Sequence, residues 1–399
     1  MTIAGRIPEA RIPALRPEAL AAPDSGIVEV FHHGFGREGL IPLWAGEGDL
    51  PTPSFISDAA MRSLAAGETF YTMQRGIPEL REAIARYVGR LYGNELSPER
   101  FFVTVGGMHA IQIALRLAAG VGDEVVVPSP AWPNFLGALA VSGAKPVLVP
   151  MQLEDGRWRL DIDRLAAAVT PRTRVIVINS PANPTGWTAN AAELQAILGL
   201  ARRHGLWIVA DEIYGRFIYG GAARAPSFQD FAEAEERVLY AQTFSKNWAM
   251  TGWRIGWLEA PEALGGTIEN LVQYSTSGVA TFVQRAAVTA LEEGEPFLER
   301  QIATARRGRE IVIEGARRTN RIEMAPPDGA FYAFFRMEGV NEVRQAALDL
   351  VDEANVGLAP GTAFGPGGEG YFRLCFARRS EEVEEAMRRI EAWLKRRGG

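Results

Sequence analysis

Between residues 101 and 258 the chain repeats one pattern: a short apolar run, a segment with helical periodicity, then another apolar run. Runs such as Val175-Ile-Val-Ile178 and Leu206-Trp-Ile-Val209 carry no polar residue at either alternating position, so both faces of each strand must be covered. Strands buried on both faces need helices on both sides, which confines this part of the chain to a three-layer α/β/α architecture around a mostly parallel sheet. The expected strands lie at 101–105, 124–128, 146–150, 174–179, 206–210 and 237–242, with helices near 54–66, 77–92, 108–119, 133–142, 161–169 and 190–203. After Leu258 the pattern changes to helices near 261–275, 279–293 and 296–319, short strands at 330–336 and 371–376, and an Arg/Glu-rich amphipathic helix at 380–396.

At 399 residues the chain exceeds what one hydrophobic core usually serves. We therefore expect an N-terminal arm over 1–50, rich in Pro and Gly, that belongs in part to a small domain; a large domain over 51–290; and a small α+β domain over 291–399. Net charge is −6 with arginines spread along the chain, which argues against a nucleic-acid surface. No apolar run approaches the ~20 residues of a membrane span, and the N-terminus has prolines and charges where a signal peptide has its apolar stretch. A single cysteine, Cys375, excludes an internal disulfide framework and suits a reducing, cytoplasmic compartment. His32 and His33 lack metal-ligand spacing, so no metal is expected; His109 and His204, inside helices, are structural.

The chain has three lysines, Lys145, Lys246 and Lys395, and the other 39 of its 42 basic residues are arginine. Lys145 falls in a turn and Lys395 in a basic C-terminal helix. Lys246 follows an expected strand, between Thr243 and Ser245 upstream and Arg254 downstream. A lysine amine can form a Schiff base once deprotonated, and arginine cannot.

In an open α/β sheet, ligands bind beyond the carboxyl ends of the strands, and several polar clusters fall there. Strand 101–105 runs into Gly106-Gly107-Met108 and a helix, which aims free N–H groups at an anion. Strand 174–179 leads to Asn183; strand 206–210 ends at Asp211, with Tyr214 one helical turn on. A buried Asp211 would need a cationic partner such as a protonated ring nitrogen, unless it caps a helix. Thr243, Ser245 and Arg254 suit a phosphate, and Lys246 supplies the amine. Together these would hold a planar phosphorylated aldehyde, pyridoxal 5′-phosphate.

Ser180-Pro-Ala-Asn-Pro-Thr-Gly186, Asp211-Glu-Ile-Tyr214 and Ser245-Lys-Asn-Trp-Ala-Met-Thr-Gly-Trp-Arg-Ile-Gly256 resemble signature segments of the class I/II aminotransferases, fold-type I pyridoxal-phosphate enzymes related to aspartate aminotransferase. Gly46-Glu-Gly-Asp49, Tyr71-Thr-Met-Gln-Arg-Gly76 and Tyr371-Phe-Arg-Leu-Cys-Phe376 fall in family order around them. The resemblance implies an aminotransferase moving an amino group from an L-amino acid to a 2-oxo acid. It implies that Lys246 binds the cofactor covalently and moves the proton, that Asp211 keeps the ring nitrogen protonated, and that Tyr214 and Asn183 contact the ring hydroxyl. Thr243, Ser245, Arg254, Gly107 and Met108 would bind the phosphate, and Trp132 would stack on the ring. Arg373, with Gly46 and Asn183, would hold the substrate α-carboxylate, and Trp132 would border the substrate. Tyr71 would reach the phosphate of a neighbouring subunit, making the active unit a homodimer.

Two departures bear on substrate and loop. The family's Gly-Glu-Pro-Asp-Phe is Gly46-Glu-Gly-Asp-Leu50 here, which relaxes the loop. Some relatives that prefer dicarboxylic substrates have a lysine where this chain has Met108, and a thioether cannot pair with a second carboxylate. We therefore expect a neutral or aromatic amino donor, with aspartate transamination and a C–S β-lyase on the same fold as the alternatives. The string Gly365-Pro-Gly-Gly-Glu-Gly370 spells a dinucleotide-binding motif but precedes a strand and opens no helix, so it is a loop.

Overall fold

The computed structural model describes residues 15–397. Its centre is a seven-stranded sheet whose strands begin with β2 (Phe101–Thr104), β3 (Glu124–Ser129) and β4 (Lys145–Pro150), following a two-residue strand β1 (Ile41–Pro42) in the arm. It continues with β5 (Thr173–Asn179), β6 (Trp207–Asp211), β7 (Val238–Thr243) and β8 (Gly256–Glu259). The strand order is β2-β8-β7-β6-β5-β3-β4, parallel throughout except for β8, which runs antiparallel to both neighbours. Val175, Ile176, Val177 and Ile178 are at most 1% exposed, the burial their unbroken apolar run requires.

The helices form where the periodicity places them, within one to three residues at most ends. The arm carries α1 (Gly26–Gly34), and around the large sheet lie α2 (Ser54–Ala65), α3 (Pro78–Tyr92), α4 (Gly106–Ala118), α5 (Pro133–Ser142) and α6 (Ala191–His204). α6 shows why such ends hold: Asn190 and Glu193 form a reciprocal capping box, and Gly205 closes the helix in the left-handed conformation at φ 64°. After β7 comes a single turn, α7 (Phe244–Asn247), then α8 (Gly265–Gln273), α9 (Thr281–Glu293) and the long α10 (Glu295–Thr319). The helix expected at 261–275 is shorter than its pattern, because Pro261 opens only a 3₁₀ turn, Glu262–Leu264, and two glycines follow.

A second, antiparallel sheet of four strands follows, β9 (Ile322–Met324), β10 (Tyr332–Met337), then β12 (Ala359–Pro360) and β13 (Tyr371–Cys375), in the order β9-β10-β13-β12. Between β10 and β12 lie α11 (Val343–Ala354) and β11 (Val356–Gly357), and α12 (Ser380–Arg397) closes the chain. The arm joins this part: β1 pairs in parallel with β11, and Arg344 of α11 pairs with Glu29 of α1.

Three local expectations are corrected. The arm contains a helix, α1, started by Ser25, whose Oγ accepts from Val28 N at 3.4 Å. α11 and a hairpin over 152–159 were not foreseen. No helix follows Asp211: residues 212–215 make turns, so Asp211 is not a helix cap and Tyr214 is not one helical turn beyond it.

Candidate active site

The carboxyl ends of β2, β5, β6 and β7 open on a cleft of about 410 Å³ roofed by α1 and by β13. Gly46, Gly107, Met108, Trp132, Asn183, Tyr214, Thr243, Ser245, Lys246, Arg254 and Arg373 all line it. Asp211 lies just beneath, 1% exposed. Tyr71 is elsewhere: it is 97% exposed, beside Phe70 at 86%, and contributes nothing to the cleft of its own chain.

One end of the cleft is built for an anion. The helix α4 starts at Gly106 with no side chain capping its first N–H groups. Gly106 has φ +76°, and a Cβ there would stand 2.5 Å from Arg254 Nη2. A Cβ on Gly256 would stand 2.9 Å from the Gly106 carbonyl carbon and 3.0 Å from Gly107 N, so β8 can run this close to the start of α4 only because the residue is glycine. Facing the free N–H groups are the Thr243 and Ser245 hydroxyls, 2.9 Å apart, and Arg254, whose Nη1 donates to the Thr251 carbonyl at 2.6 Å. Arg254 has no carboxylate partner among the described residues. Helix dipole, two hydroxyls and an unmatched guanidinium make a phosphate-sized cradle.

The middle of the cleft holds an unmatched amine, with an unmatched acid just beneath it. The Asp211 carboxyl has one weak partner, the Ile213 N–H at 3.4 Å, and burial pushes it up to about 7. Lys246, on the single turn α7, donates its Nζ to the Gly46 carbonyl at 2.6 Å; enclosure at the cleft floor pushes it down to about 8. Gly46 itself leaves room for Tyr332, since a Cβ there would stand 2.5 Å from the Tyr332 hydroxyl. Trp132, at the start of α5, is held edge-on by Phe135 with ring centroids 5.5 Å apart.

The far end holds a second unmatched guanidinium. Arg373, on β13 and 2% exposed, donates Nη1 to Asn183 Oδ1 at 3.0 Å and Nη2 to the Trp44 carbonyl, and its Nε has no partner among the described residues. Its charge rests over the rings of Tyr332 and Phe364, at 4.6 and 5.0 Å. Asn183 is fixed from below, its N–H donating to Asn179 Oδ1 at 2.8 Å while Asn179 Nδ2 donates to the Asp211 carbonyl at 3.1 Å.

Sequence reasoning missed Tyr332, whose hydroxyl is 2.8 Å from that of Tyr214, and the apolar wall of Ile27, Val28 and Ile111 beside Met108. His109, next to Met108, is structural as expected. Its Nδ1 accepts from Val105 N at 3.1 Å, its Nε2 meets Ser275 Oγ at 2.9 Å, and burial lowers it to about 4, so it stays neutral.

These groups fit pyridoxal phosphate: an anion cradle and an enclosed amine line one cleft, and a buried carboxyl lacking a cation lies just beneath it. The family model for aminotransferase class I and II matches residues 38–390. Among curated proteins the chain is 37% identical to an aspartate aminotransferase of Pyrococcus horikoshii, over 92% of this chain and 94% of that one. It is 36% identical to aromatic-amino-acid aminotransferase 2 of Thermococcus litoralis, over 93% and 96%. Among solved structures, Thermus thermophilus aspartate aminotransferase with maleate superposes with a TM-score of 0.88 at 34% identity, over 96% of this chain and 100% of that one.

Proposed function

The chain belongs to the class I and II aminotransferases, enzymes that transfer amino groups with pyridoxal phosphate, and we propose that its donor is a neutral or aromatic L-amino acid and its acceptor a 2-oxo acid. The observation that carries the substrate class is the count of cations in the cleft. Lys246, Arg254 and Arg373 are the only ones that line it among the described residues, and each has another task. None is left for a second carboxylate, and the wall beside Met108 is apolar.

When bound, pyridoxal phosphate supplies an aldehyde that condenses with amines and a protonated ring that withdraws electrons from the reacting carbon. Gly107 and Met108 N–H groups, Thr243, Ser245 and Arg254 would hold its phosphate. Asp211 would keep the proton on its ring nitrogen, Asn183 and Tyr214 would contact its ring hydroxyl, and Trp132 would stack on the ring and border the substrate. Arg373, with Gly46 and Asn183, orients the α-carboxylate; its free Nε and fork geometry suit a bidentate pair. Lys246, whose Nζ reaches the Gly46 carbonyl on the cleft floor, would bind the cofactor covalently and move the proton between the substrate Cα and the cofactor C4′. With Nζ held below the usual lysine range, a neutral amine is available near neutral pH.

Tyr71 serves the site of a second copy, so the working unit is a homodimer; exposed Phe70, Tyr71, Met73 and Tyr274 give it an apolar surface to cover. We place the enzyme in the cytoplasm, in keeping with one free, buried cysteine. The large domain would span 51–290 and the small one 291–399, with the arm completing the latter. Comparing kcat/KM for phenylalanine and aspartate tests the substrate class. Phenylalanine should lead by about tenfold or more, and an aspartate lead of that size would refute it.

A further inference from the structure

We propose that Gln301 is a positioning residue for Lys246, capping from α10 the single helical turn that carries the lysine. The inference rests on the assignment of Lys246 as the cofactor-binding lysine. The turn α7 is four residues long, started by Thr243, whose Oγ1 accepts from Ser245 N at 3.2 Å. Trp248 N–H closes on the Phe244 carbonyl, and Ala249 then leaves the helix at φ +52°. The Lys246 and Asn247 carbonyls therefore have no intrahelical donor. Gln301 Nε2 supplies both, at 3.2 and 2.7 Å. Because both partners can only accept, the nitrogen of the amide has to face them.

The same side chain borders the glycine loop: a Cβ on Gly48 would stand 3.8 Å from Gln301 Oε1. That loop provides the Gly46 carbonyl that receives Lys246 Nζ. Gln301 thus lies between the backbone of the lysine and the backbone that holds its amine.

What anchors Gln301 is the buried face of α10, on which Leu298, Ala305, Gly308 and Val312 follow helical spacing. At its start Gly294 admits the Trp248 ring, since a Cβ would come 2.4 Å from Trp248 Nε1. Two turns beyond Gln301, Gly308 lies against the Phe376 carbonyl, three residues past Arg373. One helix therefore touches the lysine turn at one end and the end of the carboxylate-binding strand at the other. Gln301 touches no reacting atom; it sets where the lysine amine stands relative to a site built partly on β13.

The test uses wild-type and Gln301→Leu holoenzyme, titrating the absorption band of the lysine-bound cofactor against pH and following its decay on adding an amino acid. Leucine keeps the volume and removes both donors, leaving two carbonyl dipoles uncompensated beside Lys246. The midpoint should rise by about half a unit because a cation there is then favoured. The half-reaction rate should fall about 10- to 100-fold from misplacement of the amine, while the amino-acid Kd, set by Arg373, stays within about twofold. An unchanged midpoint and rate would overturn the proposal. Should the leucine variant not fold, Gln301→Glu serves: protonated it can donate, ionised it cannot, so its rate should carry a pH dependence absent from the wild type, and a profile matching the wild type would equally refute it. A wild-type holoenzyme without the lysine-bound band would instead remove the Lys246 assignment, and this proposal with it.

Discussion

Asp211→Asn should make the cofactor-free protein more stable at high pH while weakening its hold on the cofactor. The Asp211 carboxyl, 1% exposed, is pushed by burial from an ordinary 3.8 up to about 7. The raised folded value fixes the sign. Stability from this group is fully present below 3.8, declines as the unfolded chain ionises and the folded one does not, and is lost once the pH passes about 7. The shift corresponds to roughly 4 kcal/mol at its full extent, an order-of-magnitude figure. Asparagine has no such titration, so the stability of the variant minus that of the wild type should grow by roughly 4 kcal/mol from about pH 4 to about pH 8. Glu212, raised to about 8 by burial, titrates in both proteins and cancels in the difference. Denaturant unfolding of both apoproteins at matched protomer concentration measures it. Adding pyridoxal phosphate should reverse the ranking at high pH, because a ring-nitrogen proton then pairs with the ionised carboxylate of the wild type alone. A stability difference that does not change with pH would refute the reasoning, as would equal stabilisation of the two proteins by the cofactor.

Two further outcomes follow from the same geometry. Arg373→Ala should raise KM for every amino acid by about 30-fold or more, since truncating one member of a buried charge pair costs about 2–5 kcal/mol; an effect confined to acidic substrates in steady-state kinetics would mean that Arg373 holds a different carboxylate. Met108→Lys places a cation on the apolar wall and should raise kcat/KM for aspartate relative to phenylalanine by about tenfold, and an unchanged ratio would show that the side chain of the substrate lies elsewhere.

The strand-end clusters were legible because each strand announces itself: an unbroken apolar run must be buried, and the first polar residue after it must face the crevice. That rule places Asp211, Thr243 and the Gly106-Gly107 turn together at the carboxyl ends of the strands. Tyr332 was not legible, because β10 is buried at nearly every position and no alternation marks the ring that lies under Arg373. α1 was hidden by glycine at both ends and by β-branched residues, which favour a helix only weakly; its packing against α11 and β12 decides the matter. Gln301 was hidden for a different reason: periodicity tells which face of α10 is buried but not what that face meets.

The turns after Asp211, in place of a helix, show how the site separates from its scaffold. Asp211 and Glu212 are consecutive buried carboxyls, both raised chiefly by burial. Glu212 is answered within the protein: Ser227 Oγ donates to it at 2.6 Å and Phe228 N at 3.3 Å. Glu259 is likewise answered, by Arg100 at 3.0 Å. Among the described residues Asp211 has only the distant Ile213 N–H, and Arg373, equally buried, has no acid. Burial alone therefore does not mark the site, since all these groups share it. The mark is the missing partner among the described residues: an acid lacking a cation just beneath one cleft, and, lining that cleft, a guanidinium lacking an anion and an amine whose only partner is a carbonyl. A cationic ring nitrogen, an amino-acid carboxylate and an aldehyde match those three deficits one for one, which is why the pairs at Glu212 and Glu259 stay structural and these do not.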